Sequence, residues 1–242
     1  MPQTLSGRRF EHIAKRALPV FLTCIVMILL TAPAWGASEE KDEETLRKAA
    51  AVLREMLDSN NVPPDVLTKA ECVMVLPNVK KFGVGIGGSG GRGPMSCRAG
   101  EHFKGKWSAP AMFSVSGVSA GLQVGGSSSD FVLLIMSPKG LDAILKGKTK
   151  LGSDATAAAG PSGATASSVG ESDVLTYGKA KGLFAGVSLG SATLEPDADA
   201  NKRLYGKALS AREIVRGSGV AAPAAGEPLV SLLNSKAAKR SK

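Results

Sequence analysis

The stretch from Cys72 to Cys97, CVMVLPNVKKFGVGIGGSGGRGPMSC, decides how the rest of the chain is read. Its opening, Cys72 to Pro77, is a short unbroken apolar run ended by proline, the pattern of a fully buried strand. VKKFGVGIGG and GPMSCR follow as two more strand-like segments bounded by glycine and proline. Glycine inside strands marks bulges and sharp bends, as a small closed sheet requires. The same language continues downstream in WSAPAMFSVSGVSAGLQVGG and DFVLLIMS, then in DVLTYG and GLFAGVSLGSATLE. Glycine supplies 29 of the 242 residues, about 12% against the usual ~7%, with no collagen-like period.

Around this β-rich core, spanning 72–195, the period changes. Residues 38–58 place Leu46, Ala49, Ala50, Leu53, Met56 and Leu57 at helical spacing, with an acidic start that suits a helix N-terminus. Pro64 opens a second short helix, so helices occupy 38–70. GLDAILKG is a short helix within the core, and 150–172 is small and polar and contains a long loop. Residues 197–216 form a helix, and 221–242 a C-terminal tail. No βαβ alternation occurs. The class is therefore α+β, an antiparallel β-barrel-like core with helices packed at the N- and C-terminal ends.

Residues 1–36 read as a secretory signal peptide. Arg8, Arg9, Lys15 and Arg16 precede an uncharged run from Leu18 to Leu30, and Ala34 and Gly36 place cleavage after Gly36. These thirteen apolar residues are fewer than the ~20 that span a bilayer, which disfavours a retained anchor. Cys24 lies inside the apolar run, the wrong place for lipidation. Cleavage implies a secreted or periplasmic protein. It also removes four basic groups and Glu11, so the formal charge of +9 becomes +6. Cys72 and Cys97 remain, and an even pair in an oxidising compartment suggests one disulfide, with two buried thiols as the alternative.

Several motifs resemble enzyme signatures and fail on context. Gly83 to Gly88 fits G-x-G-x-x-G, but more glycines, Arg92 and Pro94 follow instead of a helix, so a glycine-rich hairpin is the better reading. Gly87-Gly-Ser89-Gly-Gly91 fits a nucleophile elbow. Its one possible base outside the signal is His102, which leaves a serine hydrolase as a remote alternative. Gly147-Lys-Thr149 lacks the first P-loop glycine, since position 142 is Asp142. Asp197, Asp199 and Asn201 begin like a calcium loop, but Lys202 and Ala208 stand where glycine and glutamate belong. Asp197 or Asp199 serves better as a helix cap. No catalytic residues, metal ligands or cofactor are expected, and the chain reads as a non-enzyme.

Basic groups beside apolar residues carry more information. Lys80, Lys81, Arg92, Lys104, Lys106, Trp107, Lys179, Lys181 and Phe184 are the candidate lipid-binding residues, with Phe103 a further apolar candidate. Each cation near an anionic surface contributes on the order of 1 kcal/mol. Nucleic acid is not an expected partner, because aromatics are 5% of the chain, too sparse for stacking platforms.

Five blocks in order then resemble a known family: residues 72–98, WSAPAMF (107–113), GLQVGGSSSDFVLLIMS (121–137), LGSDATAAAGPSG (151–163) and KGLFAGVSLGSATLEPDADANKRLYGK (181–207). They are similar to the SYLF domain in its bacterial secreted form, over roughly 38–235. The resemblance implies a β-barrel-like core with helices and loops on it, and binding of phosphoinositides or other anionic phospholipids. It also implies no catalytic motif. In eukaryotic endocytic adaptors the domain stands beside an SH3 domain, meets membranes through an amphipathic N-terminal segment, and is tied to actin. Here that segment is acidic at its start, with basic residues at Lys41, Arg47, Lys48 and Arg54. The expected function is non-catalytic binding of anionic phospholipids at the cell envelope through basic loops. The alternative is a structural envelope protein that acts through protein partners.

Overall fold

Residues 72–97 fold as a hairpin of two long strands, β1 (Cys72–Val84) and β2 (Ile86–Cys97), with Cys72 opposite Cys97 and Val84 opposite Ile86. The computed structural model describes residues 34–84, 86–120, 125–160, 172–180, 183–185, 189, 191–217 and 219–237. The signal read in 1–36 lies outside them as far as residue 33, as do residues 161–171 of the segment 150–172 in which a loop is read. The compact unit is Glu39–Lys242.

The sequence pattern breaks the strand at Pro77, whereas β1 continues through it. Proline has no N–H to give the ladder, so the strand absorbs Pro77 and Asn78 as a bulge, with a register shift between Leu76 and Val79. Asn78 takes φ 55°, and its backbone N–H donates to Asp130 Oδ1 at 2.7 Å. The turn falls inside the glycine run VKKFGVGIGG, where the hairpin reading of Gly83 to Gly88 puts it.

The sheet adds β3 (Ala111–Ala120), β4 (Gly125–Ile135), β5 (Thr149–Lys150), β6 (Ala157–Ala159), β7 (Val174–Ala180), β8 (Leu183–Ala185) and β9 (Thr193–Pro196). Their order is β5-β9-β3-β2-β1-β4-β7-β6, with β8 also on β7. Every pairing is antiparallel except β6 with β7. The sheet curls into a half-barrel, as the barrel-like α+β reading requires.

Two apolar layers explain why CVMVL and FVLLI are unbroken apolar runs rather than alternating ones. Met74, Leu76, Phe113, Phe131 and Leu133 enter one layer with Leu141 and Ile144 of α3 (Pro138–Leu145) and Ile214 and Val215 of α5 (Ala211–Arg216). Val73, Val75, Val132, Leu134 and Leu175 enter the other. There they meet Leu53 and Met56 of α1 (Ala34–Asp58), Leu67 of α2 (Pro64–Lys69) and Leu229, Leu232 and Leu233 of α6 (Glu227–Lys236). Each fully buried side chain of this size contributes about 1.5–3 kcal/mol.

Two helical expectations need correction. The helix read over 197–216 is two, α4 (Ala198–Tyr205) and α5, because Gly206 closes α4 in the left-handed conformation at φ 66°. Ser210 then starts α5 with a reciprocal capping box to Glu213. Of the two candidate caps at the start of α4, Asp197 is the one used, accepting from the Ala200 N–H at 3.0 Å. The segment 221–242, read as a tail, contains α6, whose Leu229 and Leu233 are fully buried.

Candidate functional site

The hairpin has a base at Cys72 and Cys97 and a tip near Val84 and Ile86, and the two ends differ in chemistry. At the base Cys72 and Cys97 form a disulfide. Next to it Arg98 is 1% exposed. Its Nε donates to the Ala70 carbonyl at 3.2 Å, and its Nη2 to the Ala237 carbonyl at 3.0 Å. The guanidinium stacks on Trp107 at 4.6 Å. These bonds satisfy carbonyls at the ends of α2 and α6, which have no partner within their own helices.

Trp107 therefore does not stand at a headgroup boundary. It is 5% exposed, its Nε1–H donates to the Ala237 carbonyl at 3.2 Å, and its backbone N–H to Asn234 Oδ1 at 3.1 Å. Phe103 is also buried, with the Arg216 guanidinium 4.2 Å above its ring. Arg92 is engaged inside the fold as well. Its Nη2 donates to Asp42 Oδ1 and its Nε to Asp197 Oδ2, both at 2.7 Å. Asp42 is fully buried, and its second oxygen accepts from Arg203 Nε at 2.7 Å, a bond that raises the Arg203 pKa above its ordinary value. Lys179 pairs with Glu55 of α1. Lys104 and Lys106 are exposed, on the loop that follows the short turn Glu101–Phe103. Lys181 lies outside the described residues, and of Phe184 only the backbone is described, in β8 opposite Lys179.

Ser89 and His102 do not meet. Ser89 sits opposite Lys81 toward the tip. Cys97 is roughly 26 Å away along β2 at the rise of an extended strand, and His102 lies in the turn beyond it. Among the described residues no group of three or more His, Cys, Asp or Glu is arranged to hold a metal ion. No helix among them is long and apolar enough to cross a membrane. The apolar stripe of α1 is covered by the sheet layer, so it is not a free amphipathic surface.

The tip is where apolar surface is left open. Phe82 is 64% exposed and Val118 75%. Phe82 stands opposite Gly88, and Gly88 opposite Val118, so the two side chains share one face across three strands. The Phe82 ring lies over Gly88. Lys80, two residues before Phe82 and exposed, projects from the same face, while Lys81 turns to the other and lies 5.9 Å from the Phe131 ring. Of the nine candidate residues, only Lys80 and Lys81 stand at this tip among those described. The sequence reading missed Phe82 and Val118. The period-two step from Lys80 to Phe82, beyond the last apolar pair of β1, was the signal available.

Residues 116–236 match the family model described as Ysc84, Las17-binding protein actin regulator. The chain belongs to the Ysc84 family. It is 37% identical over 206 residues to "Protein YSC84" of Saccharomyces cerevisiae, covering 79% of this chain and 43% of that protein. It is 33% identical over 205 residues to "LAS seventeen-binding protein 3" of the same species, covering 79% and 44%. It is 34% identical over 201 residues to "SH3 domain-containing YSC84-like protein 1" of Mus musculus, covering 78% and 58%. The chain spans about half the length of the curated relatives it matches. The resemblance to the SYLF domain thus holds, and the Ysc84 match runs from the tip of β3 to the end of α6.

Proposed function

We propose that the chain is a non-catalytic binding module that takes a protein partner on the open end of its sheet. The observation that carries this reading is the exposed pair Phe82 and Val118 on one face of the tip, where no helix among the described residues covers them. A large aromatic left open beside a small apolar residue is costly to hydrate and typical of a contact surface. The printed name of one relative, a LAS seventeen-binding protein, and the description of the family model as a Las17-binding protein favour binding to protein over catalysis. A photo-crosslinking side chain at Val118 is expected to capture a defined partner from envelope extract, and one at buried Met112 to capture none. Equal capture from both positions would sink the proposal.

A second reading is favoured by Lys80 and Lys81 flanking Phe82. In it the tip meets anionic phospholipid, with Phe82 at the headgroup boundary, while Lys104 and Lys106, at the base of the hairpin, take no part. Co-sedimentation with anionic and neutral vesicles at low and high salt tests it, and equal pelleting with both would remove the electrostatic part. The disulfide supports the secreted or periplasmic location proposed from the leader sequence, since such bonds persist in oxidising compartments.

A further inference from the structure

Glycines of β2 divide by face, and only one set is required by this chain. A Cβ added to Gly91 would lie 2.9 Å from Val79 Cγ2, and one added to Gly93 would collide with the Val75 carbonyl. Both point into the covered layer. Gly90 and, across the sheet on β4, Gly126 point the other way. Among the described residues a Cβ at either would meet only a backbone oxygen 3.8 Å away, an ordinary contact. Neither takes a positive φ. The fold therefore asks for no glycine at these two positions, and glycine in a strand interior is unfavourable by roughly 0.5–1 kcal/mol.

Both glycines lie on the face that carries Lys80, Phe82 and Val118. Gly90 is opposite Lys80, and Gly126 opposite Phe82. Together they form a floor without side chains around one exposed ring. Such a floor serves close approach by another backbone. A bilayer gains nothing from it, because lipid rewards larger apolar groups at the same positions. Charge narrows the occupant further. In segments 79–84, 86–91, 115–120 and 125–129 the one charge on this face is Lys80, since Lys81 turns to the other, and the next carboxylate along β4, Asp130, already accepts from the Asn78 N–H at 2.7 Å.

We infer that the tip is a docking face for an acidic protein segment, whose backbone lies on Gly90 and Gly126 beside Phe82 and whose carboxylates reach Lys80. This rests on the protein-binding reading above and names the chemistry of the partner.

The probe is a library of random peptides displayed on phage and selected on the immobilised full chain. Recovered peptides are expected to combine Asp or Glu with apolar residues. Their affinity is expected to fall at least about tenfold for Lys80→Glu, the loss of one charge-assisted contact. It should fall as far for Gly90→Val, with the melting temperature of both variants maintained. Phe82→Ser separates the two levels of the claim. If recovered peptides bind that variant as they bind the parent, the binding module itself is misplaced. If Phe82→Ser abolishes binding while Lys80→Glu and Gly90→Val retain it, only the acidic, backbone-on-glycine occupant is refuted. Selection that yields no acidic excess also overturns it. So does Phe82-dependent pelleting with phosphatidylserine vesicles that Gly90→Val strengthens.

Discussion

At the base of the hairpin every side chain from Cys72 to Leu76 is buried, a disulfide joins the strands, and a guanidinium closes two helix ends. Six residues beyond Leu76 on the same strand, Phe82 is 64% exposed over glycine. The base is covered on both faces by α1, α2, α3, α5 and α6, and its residues are large and branched. The tip is mostly glycine and serine, with two lysines, the Phe82 ring and small branched residues such as Val118. The difference teaches that burial assigns the base to stability and leaves the tip open, where the proposed recognition would act. Substitutions at the two ends should therefore move different observables.

The largest loss of stability is expected for Arg98→Ala. It strips donors from the Ala70 and Ala237 carbonyls and removes the stack on Trp107. Leaving each of these buried carbonyls without its donor costs about 1–3 kcal/mol, to be read from urea unfolding. Replacing Cys72 and Cys97 together by alanine comes next. The bridge closes a loop of sequence separation 25, and freeing it from a chain of that length costs about 3 kcal/mol on the chain-entropy account. A native chain that shows two titratable thiols when unfolded without reductant would remove the basis of this expectation.

Asp173 offers a pH-dependent test of the base. It lies between β6 and α3, where burial pushes its pKa up. Hydrogen bonds from the Ser137 hydroxyl and from the Thr156 N–H and hydroxyl outweigh burial and hold it below the ordinary aspartate value. A depressed carboxyl contributes stability above the pKa of the unfolded chain and loses it as pH falls through the folded value. Stability should thus decline below about pH 4, and Asp173→Asn should flatten that decline. The substitution also sets an amide donor against existing donors, costing about 1–3 kcal/mol at neutral pH. An unchanged acid limb in Asp173→Asn would contradict the assignment.

Much of the base was legible in the sequence. The runs CVMVL and FVLLI announce strands buried on both faces, the cysteine pair its bridge, and the periodicity of 38–58 its helix. Trp107 was misread as a surface group and Arg92 as one open to lipid, because their partners Ala237, Asp42 and Asp197 lie far away in sequence and nothing local reports such contacts. α6 was missed because its apolar residues are few and gain their partners only from the folded sheet. The tip was half legible. Lys80 and Lys81 stood out by charge, whereas the exposure of Phe82 depends on which face the bulge at Asn78 turns toward the helices.

The smallest expected stability change is also the one that separates the two ends most sharply, because it compares single methyl groups on one strand. Gly93→Ala places its methyl against the Val75 carbonyl in the covered layer, and overpacking there costs about 1–3 kcal/mol or more. Gly90→Ala, three residues toward the tip, meets only a backbone oxygen at 3.8 Å. It also reduces the entropy of the unfolded chain, so stability should stay level or rise by about 0.4–1 kcal/mol. Thermal unfolding of the two variants checks the pair. If Gly90→Ala destabilises as Gly93→Ala does, both glycines answer to the fold, and the floor at the tip loses its claim to an outside partner. If Gly90→Ala is neutral while partner binding weakens, the residue is retained for recognition, and the division between base and tip runs through a single strand.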